Sequence, residues 1–361
     1  MPPQAAPAVG SLAVVGTGLV GTSVALAAKR SGVARVAGWD EDDASLRDAA
    51  GSRGLERADS LAAAVAGAEL VVVAVPVGAL VETTRAVLDA AAPETTVTDV
   101  GSTKRAVAGA LADARLVPGH PLAGGPSGGP ARAAADLFDG AAWLLTPNDA
   151  TGAAQLELVE RFVASLGARP VRLDPETHDR VLAYTSHLPH VLANLLMRNV
   201  ASSGDEALGY AGASLREMTR VAGANPDMWA DIFVENGDAV LTALASHADA
   251  VAEVERALRD GDRGFFERWI EEAANARNRM LEYAYRTEAQ MLNRVRVRVP
   301  DKPGVLARIT QTLGAAGINI EDFELRHVSP EYGGVLVILI AGADNAELAR
   351  TLLRREGYSA A

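Results

Sequence analysis

Two clusters of polar residues follow predicted strands and could carry acid–base chemistry. The first, Asp99–Lys104, contains Ser102, and the second places His120 one strand later in a glycine-rich loop stiffened by a proline. A histidine that is neutral near pH 7 can accept a proton, and one in such a loop is open to a ligand. Residue types alone favour a simpler role for the first cluster, in which Ser102 or Thr103 caps a helix.

A third cluster, Ser186–His190, carries two histidines in a predicted helix. His187 and His190 share one helix face, and Pro189 between them removes one intrahelical hydrogen bond. A kinked helix with paired histidines could form the wall of a site, although a solvated helix face has the same pattern. A metal site needs a third ligand, and the nearest histidine, His178, does not lie at a clear ligand spacing. We therefore predict no metal.

An arginine precedes a predicted helix start further along the chain. Asn225 is a favoured N-cap, Pro226 suits the first helical position, and the helix that they begin contains Trp229. Arg220 lies just before this start, and its guanidinium could bind a carboxylate through two parallel hydrogen bonds. A surface salt bridge is the common alternative for any arginine.

A glycine loop near the N-terminus predicts a dinucleotide site. It follows a β-branched strand, opens a helix and consists of Gly16, Thr17, Gly18, Leu19, Val20 and Gly21. In such loops the first glycine permits a tight turn, the second lets the pyrophosphate approach the backbone, and the third lets helix and strand pack closely. The phosphates would then lie at the positive end of the helix. A coincidental glycine turn in an α/β fold is the alternative.

Acidic residues at the end of the second predicted strand indicate which dinucleotide binds. Asp40 can accept hydrogen bonds from the adenine ribose hydroxyls. Further acidic residues follow at 41–43, and such a run would repel a 2′-phosphate, so NAD is favoured over NADP. Val75 and Pro76 close the third predicted strand at the carboxyl edge, where such sheets bind ligands.

The elements that must position these residues differ along the chain. Residues 11–175 alternate strand-like runs with helical stretches, which predicts the α/β class and a doubly wound parallel sheet of Rossmann type. Residues 176–288 show helical spacing of apolar residues without strand-like runs, which predicts an all-helical domain. Residues 293–361 begin with alternating Arg and Val and continue through a Pro-Gly turn, helices and strands, which predicts a small α+β domain.

Composition limits the partners of the chain. The formal net charge of −12 gives no attraction to nucleic acid or to an anionic membrane, so a small-molecule partner is expected. The 361 residues contain no cysteine, which excludes disulfides and thiolate chemistry and fits a cytoplasmic protein. We find neither a signal peptide nor an apolar run long enough to span a membrane.

Five motifs, taken together, resemble the prephenate dehydrogenase family of tyrosine biosynthesis. They occur in the family's order and cover nearly the whole chain: GTGLVGTS, DVGSTK, GHPLAG, SHLPH and TRVAGANPDMW. The resemblance implies oxidation of prephenate, with hydride transfer from C4 to NAD and loss of the ring carboxylate as CO2. His120 then corresponds to the base that takes the proton of the C4 hydroxyl, and Ser102 binds that hydroxyl and helps to place the nicotinamide.

The resemblance also implies how the substrate is held. Arg220 corresponds to the main anchor of a substrate carboxylate, and His190 and Trp229 line the pocket. His187 corresponds to a residue that holds Ser102 or His120 in place without contacting the substrate. Gly125 takes a place at the pocket mouth, where many relatives carry a polar residue followed by a glutamate; here Gly125 is followed by proline. The choice of substrate side chain therefore stays open, and arogenate, with an amine in place of the keto oxygen, is the alternative substrate.

In this family the all-helical domain mediates dimerisation, so a homodimer is expected, and some members add a C-terminal ACT domain. Residues 300–306 and 317–320 resemble ACT motifs, which implies a ferredoxin-like βαββαβ fold. ACT domains bind amino acids at a loop and helix start, so tyrosine is the implied effector. The implied effector contacts are Asp301, Gly304, Asn319 and Ile320. A module that only assists assembly is the alternative.

Two other functions remain as alternatives. A reductase of the β-hydroxyacid type also joins a Rossmann domain to a helical one, but it gives no reason for SHLPH or for the ACT module. A non-catalytic sensor of NAD and an amino acid would retain the fold without turnover. Such a sensor would have no use for His120 as a proton acceptor.

Overall fold

A computed structural model of the protein describes residues 7–53, 55–124, 129–284, 292–329 and 333–360. The chain divides into two compact units, Met1–Ala250 and Val251–Ala361, and the division falls inside one long helix. The domain boundaries predicted from the sequence, at 175/176 and 288/293, stay a prediction.

A six-stranded parallel sheet forms the centre of the first unit, with strand order β3-β2-β1-β4-β5-β6. The strands are β1 Ser11–Val15, β2 Arg35–Trp39, β3 Glu56–Arg57, β4 Leu70–Val73, β5 Thr96–Asp99 and β6 Leu116–Val117. The helices between them are α1 Leu19–Arg30, α2 Asp43–Arg53, α3 Leu61–Val65, α4 Val77–Ala90 and α5 Arg105–Ala110. This is the doubly wound order, and it confirms the predicted Rossmann-type fold. The strand order reverses between β1 and β4, which is where such sheets bind ligands.

Burial on both faces explains why these strands are apolar throughout. In β1, Leu12 and Val14 pack into the core on one side of the sheet, whereas Ala13 and Val15 pack into the core on the other side. The residues of β4 are all buried as well. Side chains of successive strand residues point to opposite faces, so a strand covered by helices on both sides has no polar face.

A second, three-stranded sheet follows and carries the candidate histidine. It has the order β7-β8-β9, with β7 Gly119–Pro121 antiparallel to β8 Ala142–Leu145, and β9 Arg169–Arg172 parallel to β8. Helix α6, Ala153–Ser165, connects β8 to β9. The glycine-rich loop predicted around His120 is wrong, because His120 lies in strand β7. Pro118 has no N–H to donate to a ladder, and its carbonyl accepts from Thr146 N at 2.8 Å, which turns the chain into the second sheet.

Helices make up the rest of the first unit, as predicted. They are α7 Pro175–Leu182, α8 Leu188–Ser202, α9 Asp205–Gly209, α10 Ala213–Met218, α11 Pro226–Glu235 and the long α12 Gly237–Asp260. A single π-helical turn, Ala183–His187, joins α7 to α8 and ends two residues before Pro189. It lies where the sequence predicts a kink, and π turns frequently mark functional sites.

The second unit contains a helix and a four-stranded antiparallel sheet. Its elements are α13 Arg263–Ala284, β10 Leu292–Val299, α14 Val305–Ala315, β11 Asp322–Ser329, β12 Gly333–Ala341, α15 Ala343–Arg355 and β13 Ser359–Ala360. The sheet order is β11-β12-β10-β13, and the succession β10 to β13 is the predicted βαββαβ fold. The valines of β10 are buried and its arginines exposed, as strict alternation requires. Within the described ranges, we find no helix that is both long and apolar enough to cross a membrane.

Candidate active site

The glycine loop joins β1 to α1 at the point where the strand order reverses. Gly16 has φ +95°, and a Cβ there would lie 2.3 Å from the Ala74 carbonyl oxygen. A Cβ on Gly21 would lie 2.0 Å from the Gly16 carbonyl oxygen, so the turn and the helix–strand packing both require glycine. A Cβ on Gly18, by contrast, would meet nothing within 4 Å. The loop therefore leaves open space in front of the N-terminus of α1, and this fits the pyrophosphate of a dinucleotide.

Asp40 fastens this loop to the end of β2. Its Oδ2 accepts from Thr17 N at 2.5 Å and from Thr17 Oγ1 at 3.0 Å, and its Oδ1 accepts from Asp42 N at 2.9 Å. The carboxylate thus orders the glycine loop, and Oδ1, which accepts one bond, keeps a further lone pair for a ribose hydroxyl. Val75 and Pro76 lie after β4 across the same switch point, and Pro76 is the N-cap of α4.

A buried ion pair joins the two loops that carry Ser102 and His120. The Lys104 ammonium pairs with Asp99 Oδ2 and donates to the Gly119 carbonyl at 2.8 Å. The same Asp99 carboxylate accepts from Gly101 N at 2.9 Å and from Gly119 N at 3.1 Å. Ser102 and His120 are the residues that follow these two glycines, so one carboxylate fixes the backbone on which both are carried.

His120 is part of a chain of hydrogen bonds that runs from β7 into α7. Its Nδ1 lies 3.0 Å from His178 Nε2, and His178 Nδ1 lies 2.7 Å from Asp179 Oδ1. Burial holds the pKa of His120 well below the ordinary value of 6.5, and His178, Lys104 and His187 add to the lowering. His120 is therefore neutral at pH 7 and can accept a proton.

Asp179 also holds the start of α5. Its two oxygens accept from Lys104 N at 2.8 Å and Arg105 N at 2.9 Å. Burial alone would raise the pKa of Asp179, but hydrogen bonds from His178 and from these backbone N–H groups lower it below the ordinary value. The capping predicted for Ser102 or Thr103 is thus supplied by an aspartate from another helix, and α5 has no side-chain cap from its own N-cap residue.

His187 is held by an asparagine that the sequence analysis did not identify. The buried Asn236 amide donates from Nδ2 to the Asp179 carbonyl at 2.8 Å and lies 3.1 Å from His187 Nδ1. The carbonyl can only accept, so it fixes the orientation of the amide, and His187 Nδ1 is then an acceptor with its proton on Nε2. Burial lowers the pKa of His187 to about 4, against the opposing charge of Asp179. A direct bond from His187 to Ser102 or His120 stays a prediction.

Trp229 packs against both histidines of SHLPH, and the predicted anchor Arg220 acts on the second of them. The rings of His190 and Trp229 stack with centroids 3.5 Å apart, and His187 meets the same indole edge-on at 6.0 Å. Burial lowers the pKa of His190, the carbonyl of Ser186 opposes this, and the positive charge of Arg220 lowers it further. Arg220 itself is exposed and follows α10. Asn225 caps α11 by accepting from Met228 N at 3.0 Å, which confirms the helix start that places Trp229.

The predicted cofactor and substrate residues that the structure describes all lie in the first unit, and their roles stay predictions. Gly125 and Pro126 lie outside the described residues. His178 and Asp179 were not predicted as a pair, although they are adjacent in the sequence ahead of SHLPH; His178 was considered only as a metal ligand. Within the part of the chain that the structure describes, no group of three or more His, Cys, Asp or Glu side chains could hold a metal ion.

The predicted effector residues divide into two pairs in the second unit. Asp301 and Gly304 line a cavity of about 350 Å³ at the start of α14, together with Leu306 and Leu325. Gly304 is the N-cap of α14 with φ +85°. Asn319 and Ile320 are not among the residues that line this cavity, and the Asn319 amide donates to Glu321 Oε1 at 2.9 Å.

Fold and site together define a class: a dinucleotide-dependent oxidoreductase with a buried neutral histidine near the ligand-binding edge of its sheet. Family models agree with this class domain by domain. Residues 24–172 match the nucleotide-binding domain of prephenate dehydrogenase, residues 174–272 match its dimerization domain, and residues 293–357 match the ACT domain.

Individual proteins match over most of their length. The chain is 31% identical to a prephenate dehydrogenase of Bacillus subtilis, with 94% of each chain covered. It is 32% identical to a cyclohexadienyl dehydrogenase of Zymomonas mobilis, which covers 74% of this chain and 94% of that protein. The crystal structure of Aquifex aeolicus prephenate dehydrogenase with hydroxyphenyl propionate and NAD+ superposes with a TM-score of 0.70 at 28% identity, over 75% of this chain and 98% of that one. The chain belongs to the prephenate dehydrogenase family, and the resemblance found in its motifs is confirmed.

Proposed function

We propose that this chain oxidises prephenate to 4-hydroxyphenylpyruvate with NAD as the hydride acceptor. The observation that carries the proposal is His120, a buried imidazole that is neutral at pH 7 and is held beside the Ser102 loop by a common carboxylate. Oxidation at C4 requires removal of the hydroxyl proton, and a neutral histidine performs this role. Loss of the ring carboxylate as CO2 then makes the ring aromatic, which drives the reaction forward.

The glycine loop and Asp40 are the residues that would hold the cofactor. Gly16 and Thr17 form the turn, and their backbone N–H groups donate to the Trp39 carbonyl and to Asp40. The N–H groups that α1 itself leaves without a helical partner belong to its N-cap and first turn, Gly18, Leu19, Val20 and Gly21, and these would face the phosphates. NAD, when bound, supplies the acceptor for the hydride. The remaining chemistry falls to the protein, which binds the substrate, orients it and accepts its hydroxyl proton.

Substrate binding is assigned to the cluster around Trp229. Arg220 supplies a cation for a carboxylate of the substrate, and the stacked rings of His190 and Trp229 supply a flat wall for the cyclohexadiene. His187 presents its Nε2–H as a donor because Asn236 occupies Nδ1. Ser102 donates to or accepts from the C4 hydroxyl.

Arogenate is the second candidate substrate, because the chain carries Gly125-Pro126 where many relatives carry a polar residue and a glutamate. Purified protein should be mixed with NAD and either prephenate or arogenate, and NADH followed by its absorbance. We expect turnover with prephenate, lowered about 10²–10⁴-fold in a His120→Asn variant that still melts cooperatively. No NADH with either substrate would reject the proposal and favour a sensor, whereas faster turnover of arogenate would correct the substrate only.

We further propose that tyrosine binds at the cavity formed by the start of α14. The cavity combines polar backbone at Asp301 and Gly304 with the apolar side chains of Leu306 and Leu325, which suits the two ends of an aromatic amino acid. Millimolar tyrosine should slow turnover, and Gly304→Leu, which fills the cavity mouth, should weaken the effect. An unchanged wild-type rate would leave the module with a role in assembly.

A cytoplasmic homodimer is the assembly that we propose. The dimerization-domain match covers residues 174–272, and within this range α12 exposes Leu241 and Leu258 while α13 exposes Trp269 and Ile270. Apolar side chains spaced along helices in this way favour a partner. Light scattering on the purified protein would show a mass of about twice 37.5 kDa, and a monomer at all concentrations would reject the dimer.

A further inference from the structure

Two residues that do not belong to the predicted site connect His120 to the helical part of the first unit. His178 and Asp179 are neighbours in α7, and their side chains are 0% and 2% exposed. Each contacts the next through a single hydrogen bond: Asp179 Oδ1 to His178 Nδ1 at 2.7 Å, and His178 Nε2 to His120 Nδ1 at 3.0 Å. The chain of bonds ends at the one nitrogen of His120 that remains, Nε2.

The direction of these bonds follows from the carboxylate. Asp179 accepts from two backbone N–H groups and is therefore ionised and without a proton to donate. His178 must then carry its proton on Nδ1. When both rings are neutral, His178 Nε2 has a lone pair and no proton, so His120 must donate from Nδ1. The lone pair of His120 is thereby left on Nε2.

We propose that His178, held by Asp179, is a positioning residue that keeps His120 in the tautomer with its proton on Nδ1 and its basic lone pair on Nε2. The inference rests on the proposed function, because it assigns the nitrogen that receives the substrate proton. Without the acceptor at His178 Nε2, His120 could place its proton on Nε2 and would have no lone pair for the hydroxyl. A base in the wrong tautomer loses catalysis even where its position is unchanged.

The proton balance is simple. The O–H bond of the C4 hydroxyl breaks and its proton bonds to His120 Nε2, while the electron pair left on oxygen forms the C4–O double bond as C4 gives up its hydrogen as the hydride that NAD, when bound, would accept. Loss of the ring carboxylate as CO2 then returns an electron pair through the ring to that oxygen, which takes up a proton as the phenol. His120 becomes an imidazolium that still donates from Nδ1 to His178. Asp179 does not take a proton; it stabilises the donated bond through the His178 ring.

The tautomer can be measured without substrate. Protein labelled with 15N in its six histidines should show, by long-range 1H–15N correlation, a His120 protonated on Nδ1 and unprotonated on Nε2 at pH 7.5 (about one unit above the ordinary histidine pKa). The His120→Asn variant assigns these signals by their loss. A wild-type His120 with its proton on Nε2 would overturn the proposal, as would a His178 with protons on both nitrogens.

Kinetics of His178 variants give the second readout. His178→Leu should lower kcat about 10²-fold with KM within about twofold and should move part of His120 to the Nε2-protonated form. His178→Gln offers an amide oxygen near the Nε2 position and should retain within about tenfold of the wild-type kcat. His247→Gln, on α12 and outside the site, is the matched control and should leave both kcat and the His120 signals unchanged.

These outcomes separate the inference from the proposed function. If wild-type protein turns over no substrate, the proposed function fails while the tautomer measurement still stands on its own. If wild-type protein is active and His178→Leu keeps its kcat, the positioning role is wrong. If His178→Leu does not fold, the tautomer of His120 in the wild-type protein and the kcat of His178→Gln still test the positioning role.

Discussion

The Lys104 ammonium and the Asp99 carboxylate form an ion pair in which both side chains have 0% exposure. Lys104 also donates to the carbonyl of Gly119, the residue before His120. Burial lowers the pKa of Lys104, and the charge and hydrogen bond of Asp99 oppose that shift. The ion pair therefore joins the end of β5 to the segment that carries His120, so loss of the pair should disturb both.

Removing one partner of this pair should be strongly destabilising. In Lys104→Met the Asp99 carboxylate stays buried without a counter-charge, and we expect a loss of about 3–5 kcal/mol in the free energy of unfolding. The double variant Lys104→Met/Asp99→Asn should recover part of that loss, because no net charge is left buried. Urea unfolding measures the free energy of unfolding of the single and the double variant. Equal stability of the single variant and wild type would show that the pair does not hold the edge together.

His120 should set the acid limb of the pH–rate profile. Because burial places its pKa well below 6.5, the base stays neutral as pH falls through 6.5, and kcat should decline only at lower pH. His120→Asn should lower kcat by about 10²–10⁴ with a small change in KM. Steady-state rates across the pH range, with melting curves as the control for folding, provide the measurement. An acid limb centred at or above 6.5 would contradict the assignment.

Much of the fold could be predicted because its signals are local. The strand predicted directly ahead of the glycine loop is β1, Ser11–Val15, and the loop was identified because its glycines stand at fixed short spacings between that strand and α1. The start of α11 at Asn225-Pro226 is likewise local, since the cap bond spans three residues. Features of this kind depend on short stretches of sequence and are visible there.

The contacts that organise the site are not local. Asp179 caps α5 from 75 residues away in sequence, and His178 meets His120 across 58 residues, so neither contact has a spacing that a sequence could reveal. The residue types alone made Ser102 the expected cap. The packing of α7 against the β5–α5 connection determines which residue caps α5. Asp179 makes the capping bonds, and Ser102 does not.

Replacing Gly21 of the loop should prevent folding, whereas replacing Gly18 should weaken cofactor binding. Gly21→Val places a side chain against the Gly16 carbonyl, where a Cβ already lies at 2.0 Å, so we expect loss of folded protein. Gly18→Val meets no protein atom within 4 Å of its Cβ and should fold with a melting temperature near that of wild type. Its side chain would occupy the space of the pyrophosphate, so KM for NAD should rise at least tenfold, roughly 1.4 kcal/mol of binding. Unchanged NAD affinity in Gly18→Val would place the cofactor elsewhere.

Arg220 should affect substrate binding more than turnover. Its guanidinium is exposed and lies close enough to His190 to lower the pKa of that ring, which puts it beside the proposed pocket. Arg220→Gln removes a charge-assisted pair to a carboxylate, so KM for prephenate should rise about 10–100-fold while kcat changes little. Arg216→Gln, at an exposed arginine four residues earlier in α10, is the matched control. A fall in kcat without a rise in KM would assign Arg220 a different role.

His187 should make the stability of the protein depend on pH. Its pKa is about 4 in the folded state and 6.5 when unfolded, so between these values the unfolded chain binds a proton that the folded chain does not. Above pH 6.5 the His187 ring is neutral in both states, so its burial has no protonation cost. As pH falls from 6.5 toward 4, the unfolded chain takes up a proton that the folded chain does not, and the free energy of unfolding should decrease. His187→Gln removes this titration and should flatten the decrease over that window, even though loss of the Asn236 contact lowers stability at every pH. Urea unfolding at several pH values measures the slope, and an identical slope in the variant would show that His187 is not buried as a neutral ring.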